Sequence, residues 1–132
     1  MLLSSGSISK HEQKQSMYCP GLHLLAEMTG INSGLLSNCN DTRALIDSLI
    51  DQFQLHSLGS VYHEFPDGGF TAVVCLTESH LSIHTWPEFG IVTADVFLSN
   101  YRNDNSEKAK TIMKSIIELY GCTDFHLSEI HR

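Results

Sequence analysis

The residues with the greatest chemical potential lie in one short run, Thr77-Glu78-Ser79-His80-Leu81-Ser82-Ile83-His84-Thr85-Trp86-Pro87-Glu88. It holds carboxylates, imidazoles and hydroxyls, the groups that act as acids, bases and nucleophiles in enzymes. Apolar and polar residues alternate through its centre, which predicts a β-strand with one buried face. Because Pro87 cannot donate a ladder hydrogen bond, we expect the strand to end at Trp86. The reactive groups therefore lie on the polar face or at the ends of one strand.

Two interpretations are open for the histidines of this strand. His80 and His84 lie four residues apart and share a face, so together they could hold a metal ion. However, the sequence has no HExxH, no CxxC and no third ligand close by, and no metal site is predicted. The alternative is a pair of polar histidines on a half-buried strand.

Residues 78–88, as one contiguous run, resemble the self-cleavage segment of the small prokaryotic S-adenosylmethionine decarboxylases, pyruvoyl enzymes made as proenzymes. The resemblance covers about residues 18–131, and residues 1–17 have no counterpart in it. Three further segments carry the resemblance. Residues 21–27 resemble the family's first strand, and residues 95–97 resemble the strand after the motif. Phe65, together with residues 69–71, resembles the family's central hairpin.

This resemblance implies a fold and an assembly. The fold is α+β, a two-layer sandwich with a mostly antiparallel sheet and two helices on one face. The implied assembly is a homodimer in which the sheets of the two protomers pack face to face. Each active site then uses residues from both chains. The implied activity is decarboxylation of S-adenosylmethionine, which yields the aminopropyl donor for spermidine biosynthesis.

The resemblance also implies how the cofactor arises. Decarboxylation of an α-amino acid leaves electrons on Cα, and a ketone that forms a Schiff base with the substrate amine can accept them. In this family the Ser79 hydroxyl would attack the carbonyl of Glu78 and convert the amide into an ester. Elimination then cuts the chain between Glu78 and Ser79 and leaves a pyruvoyl group derived from Ser79. The first step needs a base and a donor to the developing oxyanion.

Other site residues follow by position from the same resemblance. His84 matches the family's processing acid or base, and Thr71 its processing hydroxyl. Phe65 matches the aromatic residue that stacks on adenine, and Glu88 the carboxylate that binds the ribose hydroxyls, a role that suits an acceptor of two hydrogen bonds. Without the motif, Phe65 would be expected as a core aromatic and Glu88 as an exposed loop acid.

One position departs from the family. A cysteine that donates a proton to Cα stands where this chain has Ser99, and a hydroxyl is far less acidic than a thiol, whose reference pKa is about 8.5. Three outcomes follow: slow processing and turnover, a related decarboxylase of arginine or ornithine, or a processing-deficient homologue without catalysis. A second difficulty is geometric, because five residues of regular strand place Ser79 and His84 on opposite faces. We therefore predict an irregular backbone at Glu78-Ser79.

The remaining chain supplies a sheet and its cover. Asn40 is the expected N-cap of a helix over residues 41–55, and Asp104 with Glu107 the capping box of a second helix that Gly121 ends. Both helices carry a single apolar stripe, so both should cover one face of one sheet. The expected strands are residues 21–28, 60–65, 70–77, the motif strand, 91–98 and 122–130, with a turn at residues 66–69.

Bulk properties narrow the class further. The 132 residues suit a single domain, expected at residues 18–132 behind a flexible tail of residues 1–17. A formal charge of −7 argues against nucleic acid or an anionic membrane as partner. No run is apolar and long enough for a membrane span or a signal peptide. Four scattered cysteines predict free thiols, and the cytoplasm is the expected compartment.

Overall fold

A computed structural model describes residues 17–132, so the expected N-terminal tail lies, apart from Met17, outside the described residues. Within this range, strands and helices follow one another with short connections and one 3-10 turn at Ser33–Leu35. The main elements are β1 (Leu22–Thr29), α1 (Asn40–Gln52), β2 (Ser57–Glu64), β3 (Phe70–Leu76), β4 (Ser79–Trp86), β5 (Ile91–Leu98), α2 (Ser106–Leu119) and β6 (Asp124–His131).

The strands form one six-stranded sheet in the order β2-β3-β4-β5-β1-β6. Every neighbouring pair is antiparallel. The first strand of the sequence therefore lies between β5 and β6, beside the last strand. This arrangement confirms the predicted α+β class with an antiparallel sheet.

Both helices lie on one face of this sheet, as their apolar stripes predict. Alternate residues of β1, β3, β4 and β5 point to the helices and are buried, among them Leu24, Phe70, Ile83 and Val96. The predicted stripe of α2 is buried over its whole length. Strand and helix residues form one hydrophobic core cluster, which burial of apolar surface stabilises.

The start of each helix differs from the prediction. α1 begins at Asn40, with Cys39 in the N-cap position and no side-chain capping bond. The polar support comes instead from Asn38, whose Oδ1 accepts from the Asn40 N–H at 3.1 Å. α1 also ends at Gln52, earlier than expected.

In α2, Asn105 occupies the N-cap position without a capping bond, so the capping box of Asp104 and Glu107 is wrong. Asp104 accepts from the Ser106 N–H at 3.0 Å, which satisfies a free donor of the first turn from outside the helix. The expected stop at Gly121 is confirmed by its positive φ of 61°.

The sheet face opposite the helices, here called the open face, carries both apolar and polar side chains. Val61, Val73, Trp86 and Ile130 are large apolar residues exposed there by 40 to 65%. Such a surface is typical of a face that meets another protein. Within residues 17–132, no helix is long and apolar enough to cross a membrane.

A single carboxylate ties the edge of the sheet to the start of α1. The Cys39 N–H donates to Glu64 Oε2 at 2.8 Å. This hydrogen bond holds the pKa of the Glu64 carboxyl below its usual range, because it stabilises the charged form. The charge of Glu64 therefore contributes to folding stability.

We expect Glu64→Gln to lower the free energy of unfolding at neutral pH, with a loss that shrinks in acid. The pKa of Glu64 is lower in the folded than in the unfolded chain. Its stabilisation is thus fully present above the unfolded value, about 4.3, and disappears as the pH falls through the folded value. Urea denaturation of both proteins from pH 7 downward measures this, with the exposed Asp51→Asn as the control. A loss that is independent of pH would contradict the assignment.

Candidate active site

The peptide between Glu78 and Ser79 lies at the tip of the β3–β4 hairpin. Leu76 pairs with Ser79, so only Thr77 and Glu78 connect the strands. Ser79 has a φ of +137°, although it is not a glycine. This confirms the predicted irregular backbone at Glu78-Ser79.

The strain at Ser79 has a local cause. Two-residue hairpin turns favour positive φ at their central residues, which glycine and asparagine supply. Thr77 and Glu78 are poorly suited to it, and among the described residues only Gln54 and Ser79 are non-glycine residues with positive φ. A residue held there costs on the order of 1–3 kcal/mol. The unfavourable backbone angle of this hairpin thus lies at Ser79, the residue directly after the turn.

The carbonyl of Glu78 is held by the backbone of Ser99. The Ser99 N–H donates to the Glu78 oxygen at 2.7 Å, continuing the β4–β5 ladder past Leu98. Ser99 is itself fixed, since its carbonyl accepts from Asn105 Nδ2 at 2.8 Å. This N–H is placed to polarise the carbonyl and to stabilise an oxyanion that forms on it.

A polar pocket of about 390 Å³ opens beside this peptide. The chain at Gly21 packs closely against Ser99, because a Cβ at Gly21 would lie 2.8 Å from Ser99 Cα. The pocket is lined by Thr77, Glu78, Ser99, Tyr101, Arg102, Asn103 and Asn105. Glu78 and Ser99 thus share one small cavity that is rich in hydrogen-bond donors.

Thr71 and His84 form a second reactive pair. They are direct partners across β3 and β4 on the open face. The Thr71 hydroxyl is hydrogen-bonded to His84 Nδ1. A hydroxyl on one ring nitrogen orients the imidazole and leaves the other nitrogen available for proton transfer.

Phe65 and Glu88 lie at the same end of the sheet as this pair. Both belong to turns, and both side chains are exposed, Phe65 by 43%. The two turns pack together at Gly69, where a Cβ would meet Pro87 Cδ and the Thr85 oxygen at 3.0 Å. Phe65 and Glu88 therefore lie at the end of the sheet where Thr71 pairs with His84.

The residues singled out from the sequence therefore form two separate groups in one chain. Glu78, Ser79 and Ser99 lie at the hairpin tip, and the group around His84 lies at the far end. Thr71↔His84 is five register positions from Leu76↔Ser79, or about 17 Å at the rise of a strand. The strained backbone at Ser79 does not bring it to His84.

A third cluster was missed from the sequence. His80 lies not with His84 but with His23 and Asp95, on the neighbouring strands β1 and β5. Polar residues at alternate strand positions are visible in the sequence. However, they become a cluster only when the strand order is known.

Comparisons with known proteins agree on one family. The family model described as S-adenosylmethionine decarboxylase matches residues 22–132. The S-adenosylmethionine decarboxylase proenzyme of Archaeoglobus fulgidus is 40% identical over 77 residues, 58% of this chain and 69% of the relative. The proenzyme of the same description from a Sulfurihydrogenibium species is 34% identical over 96 residues, 73% of this chain and 72% of the relative.

The fold has a close counterpart as well. The crystal structure of the adenosylmethionine decarboxylase from Aquifex aeolicus superimposes with a TM-score of 0.76 at 32% identity. The match covers 87% of this chain and 92% of that chain.

The strain at Ser79 predicts a difference between two variants that both lack the hydroxyl. Glycine tolerates a φ of +137°, whereas alanine does not. We expect Ser79→Gly to be more stable than Ser79→Ala, by about 1 kcal/mol or more. Chemical denaturation of the two proteins measures the difference, and glycine and alanine at Ser82, within regular strand, provide the control. Equal stability of the two Ser79 variants would show that the backbone there is unstrained.

Proposed function

The chain belongs to the S-adenosylmethionine decarboxylase family, and from this we propose that it is a pyruvoyl-dependent S-adenosylmethionine decarboxylase made as a self-cleaving proenzyme. Its product, decarboxylated S-adenosylmethionine, is the aminopropyl donor for spermidine synthesis. One observation carries the proposal for this chain. The Glu78 carbonyl accepts a 2.7 Å hydrogen bond from Ser99 directly beside the strained Ser79.

That geometry supports the first step of self-cleavage. Ser79 Oγ attacks the Glu78 carbonyl carbon, the C–N bond breaks, and an ester with a free amine replaces the amide. Negative charge develops on the Glu78 oxygen, where the Ser99 N–H stabilises it. Release of the strained φ at Ser79 favours leaving the starting conformation.

Elimination completes the cleavage. Loss of the Cα proton of residue 79 breaks the Cβ–O bond, so Glu78 departs as a carboxylate and residue 79 becomes dehydroalanine. Addition of one water and loss of one ammonia leave a pyruvoyl group at the new N-terminus. When formed, that group supplies the carbonyl that accepts the electrons left on substrate Cα. The residues at the hairpin tip suit it, because Ser79 and the Ser99 donor are already adjacent.

His84 and Thr71 are the proposed proton-transfer groups of processing. Their hydrogen bond fixes the imidazole, which the elimination needs as an acid or base. In one chain, however, the pair lies about 17 Å from Ser79 along the hairpin. A rigid sheet cannot close that distance, so the pair that serves Ser79 must come from another chain.

We infer a homodimer in which the open faces of two sheets meet and each active site combines two half-sites. The hairpin tip of one protomer supplies Glu78, Ser79 and Ser99. The opposite end of its partner supplies Thr71 and His84. The exposed apolar residues of the open face, among them Val61 and Val73, support such a contact. If the two copies pack antiparallel about a two-fold axis, the hairpin tip of each protomer meets the opposite end of its partner. The dimer then has two equivalent sites.

The substrate contacts proposed are Phe65 and Glu88. They lie with His84, so in the proposed dimer they come from the partner of the chain that carries the pyruvoyl group. An exposed aromatic ring suits adenine, and a carboxylate suits the two ribose hydroxyls. A plain amino acid such as arginine or ornithine has neither group for these residues to hold, which favours the nucleoside substrate.

Ser99 gives the second candidate function, a homologue that processes poorly or not at all. Its backbone N–H serves the Glu78 carbonyl whatever its side chain. The side chain lines the pocket, where the family has a more acidic thiol for Cα protonation. Cleavage and turnover therefore depend on residue 99 in different ways.

Intact mass spectrometry of the purified protein tests self-cleavage. We expect two fragments, split between Glu78 and Ser79. The second should be about 17 Da lighter than its serine form, the mass of the one ammonia lost when the pyruvoyl group forms. Ser79→Ala should remain one chain. The processed protein should release carbon dioxide from S-adenosylmethionine, and turnover of arginine or ornithine alone would overturn the substrate. If the wild-type chain stays intact while Ser99→Cys cleaves, the serine is the defect; if both stay intact, the chain is a non-catalytic homologue.

Mixing two inactive variants tests the shared site. The Ser79→Ala chain keeps His84, and the His84→Ala chain keeps Ser79. In a heterodimer of the two variants, one site therefore has both Ser79 and His84, and the other site has neither. After co-expression with distinguishable tags, about half of the His84→Ala chains should cleave, since random pairing places half of them in heterodimers. Each variant expressed alone is the control. No cleavage in the mixture would contradict a site shared between chains.

A further inference from the structure

Three potential metal ligands meet on the open face, on inner strands of the sheet and close to the hairpin tip, and none of them belongs to either half-site. His23 on β1, His80 on β4 and Asp95 on β5 have ligand atoms that all lie within 4.8 Å of one another. The register explains the meeting. His23 and His80 both pair with Phe97, from opposite sides of β5, and Asp95 lies two residues along on the same face.

The hydrogen bond between His23 and Asp95 is long, and its length is also that expected between two ligands of one cation. His23 Nε2 lies 3.4 Å from Asp95 Oδ2. Charge-assisted hydrogen bonds are shorter, about 2.7–2.9 Å. Two ligands of a tetrahedral zinc ion, each about 2.0–2.1 Å from the metal, lie about 3.3 Å apart. The distance between His23 Nε2 and Asp95 Oδ2 is therefore close to the distance between two ligand atoms of one zinc ion.

Burial limits the water around this cluster. His23 is only 7% exposed, and Nδ1, the ring nitrogen that does not face Asp95, is buried without a hydrogen-bond partner. Phe97 packs against both imidazoles, with ring centroids 5.1 Å from His23 and 5.8 Å from His80. The apolar ring limits water around the imidazoles, and three strands of one sheet hold the ligands in place.

We propose that His23, His80 and Asp95 bind one first-row divalent cation, with Zn²⁺ as the preferred ion. Two imidazoles and one carboxylate form a ligand set typical of such metals, whereas Mg²⁺ and Ca²⁺ need more oxygen ligands. The three protein ligands leave a position open for water. Bound metal links β1, β4 and β5 next to Ser79, and stabilises the folded sheet through binding energy that the unfolded chain lacks.

The test measures binding to the full-length chain, freed of metal by chelation. Ser79→Ala is the background, so neither cleavage nor turnover enters the result. Calorimetric titration with Zn²⁺ should show a site of about micromolar affinity or tighter, and excess Zn²⁺ should raise the melting temperature. Co²⁺, a coloured substitute, should give a visible spectrum that Zn²⁺ abolishes.

Variants assign the site to these residues. Asp95→Asn preserves shape and removes the anionic ligand, and His80→Asn removes one imidazole. Each should weaken Zn²⁺ binding at least about tenfold, since loss of groups that only orient the ligands already weakens metal sites by about 10–100-fold. The matched control is His126→Asn, an exposed histidine on the same face at β6, which should retain full affinity. Unchanged affinity in Asp95→Asn and His80→Asn, or no saturable site in the starting chain, would overturn the proposal.

Discussion

The register of the β3–β4 hairpin decides where each reactive group of this chain lies. Pairing of Leu76 with Ser79 makes the connection so short that the backbone strain falls on Ser79. The same register places His84 opposite Thr71, five positions away. A slip of one residue would exchange the two faces of β4 and bury its histidines against the helices. The placement of these groups therefore depends on the backbone hydrogen bonds of the hairpin.

A sheet of this kind separates groups that act together. Strands are stiff, so a serine at the hairpin tip and a histidine at the far end cannot meet by side-chain motion. The proposed dimer solves this by bringing unlike ends of two chains together. In such an enzyme, catalysis requires dimer formation, because the isolated chain has only half of each site. The apolar residues on the open face then serve catalysis through assembly.

Strain and polarisation act on the same peptide bond. The positive φ of Ser79 raises the energy of the uncleaved backbone, and the Ser99 N–H withdraws electron density from the Glu78 carbonyl. Both come from the main chain, so neither depends on the side chain of residue 99. The cluster of His23, His80 and Asp95 lies nearby on the open face, yet it shares no residue with either half-site. Its position next to Ser79 connects metal binding to the stability of this region.

The sequence by itself determined the local features of this protein. Alternation and apolar stripes placed the strands and helices, Pro87 marked the end of β4, and the run around Ser79 indicated the family and the irregular peptide. Helix starts were less accurate, because Asn38 and Asp104 support the first turns from outside the helices. Only the tertiary structure decided that Ser99 holds the Glu78 carbonyl, that Ser79 and His84 lie apart, and that His23, His80 and Asp95 meet. The reason is physical: periodicity specifies the face on which a side chain lies, whereas strand order and register arise from contacts between residues distant in the chain.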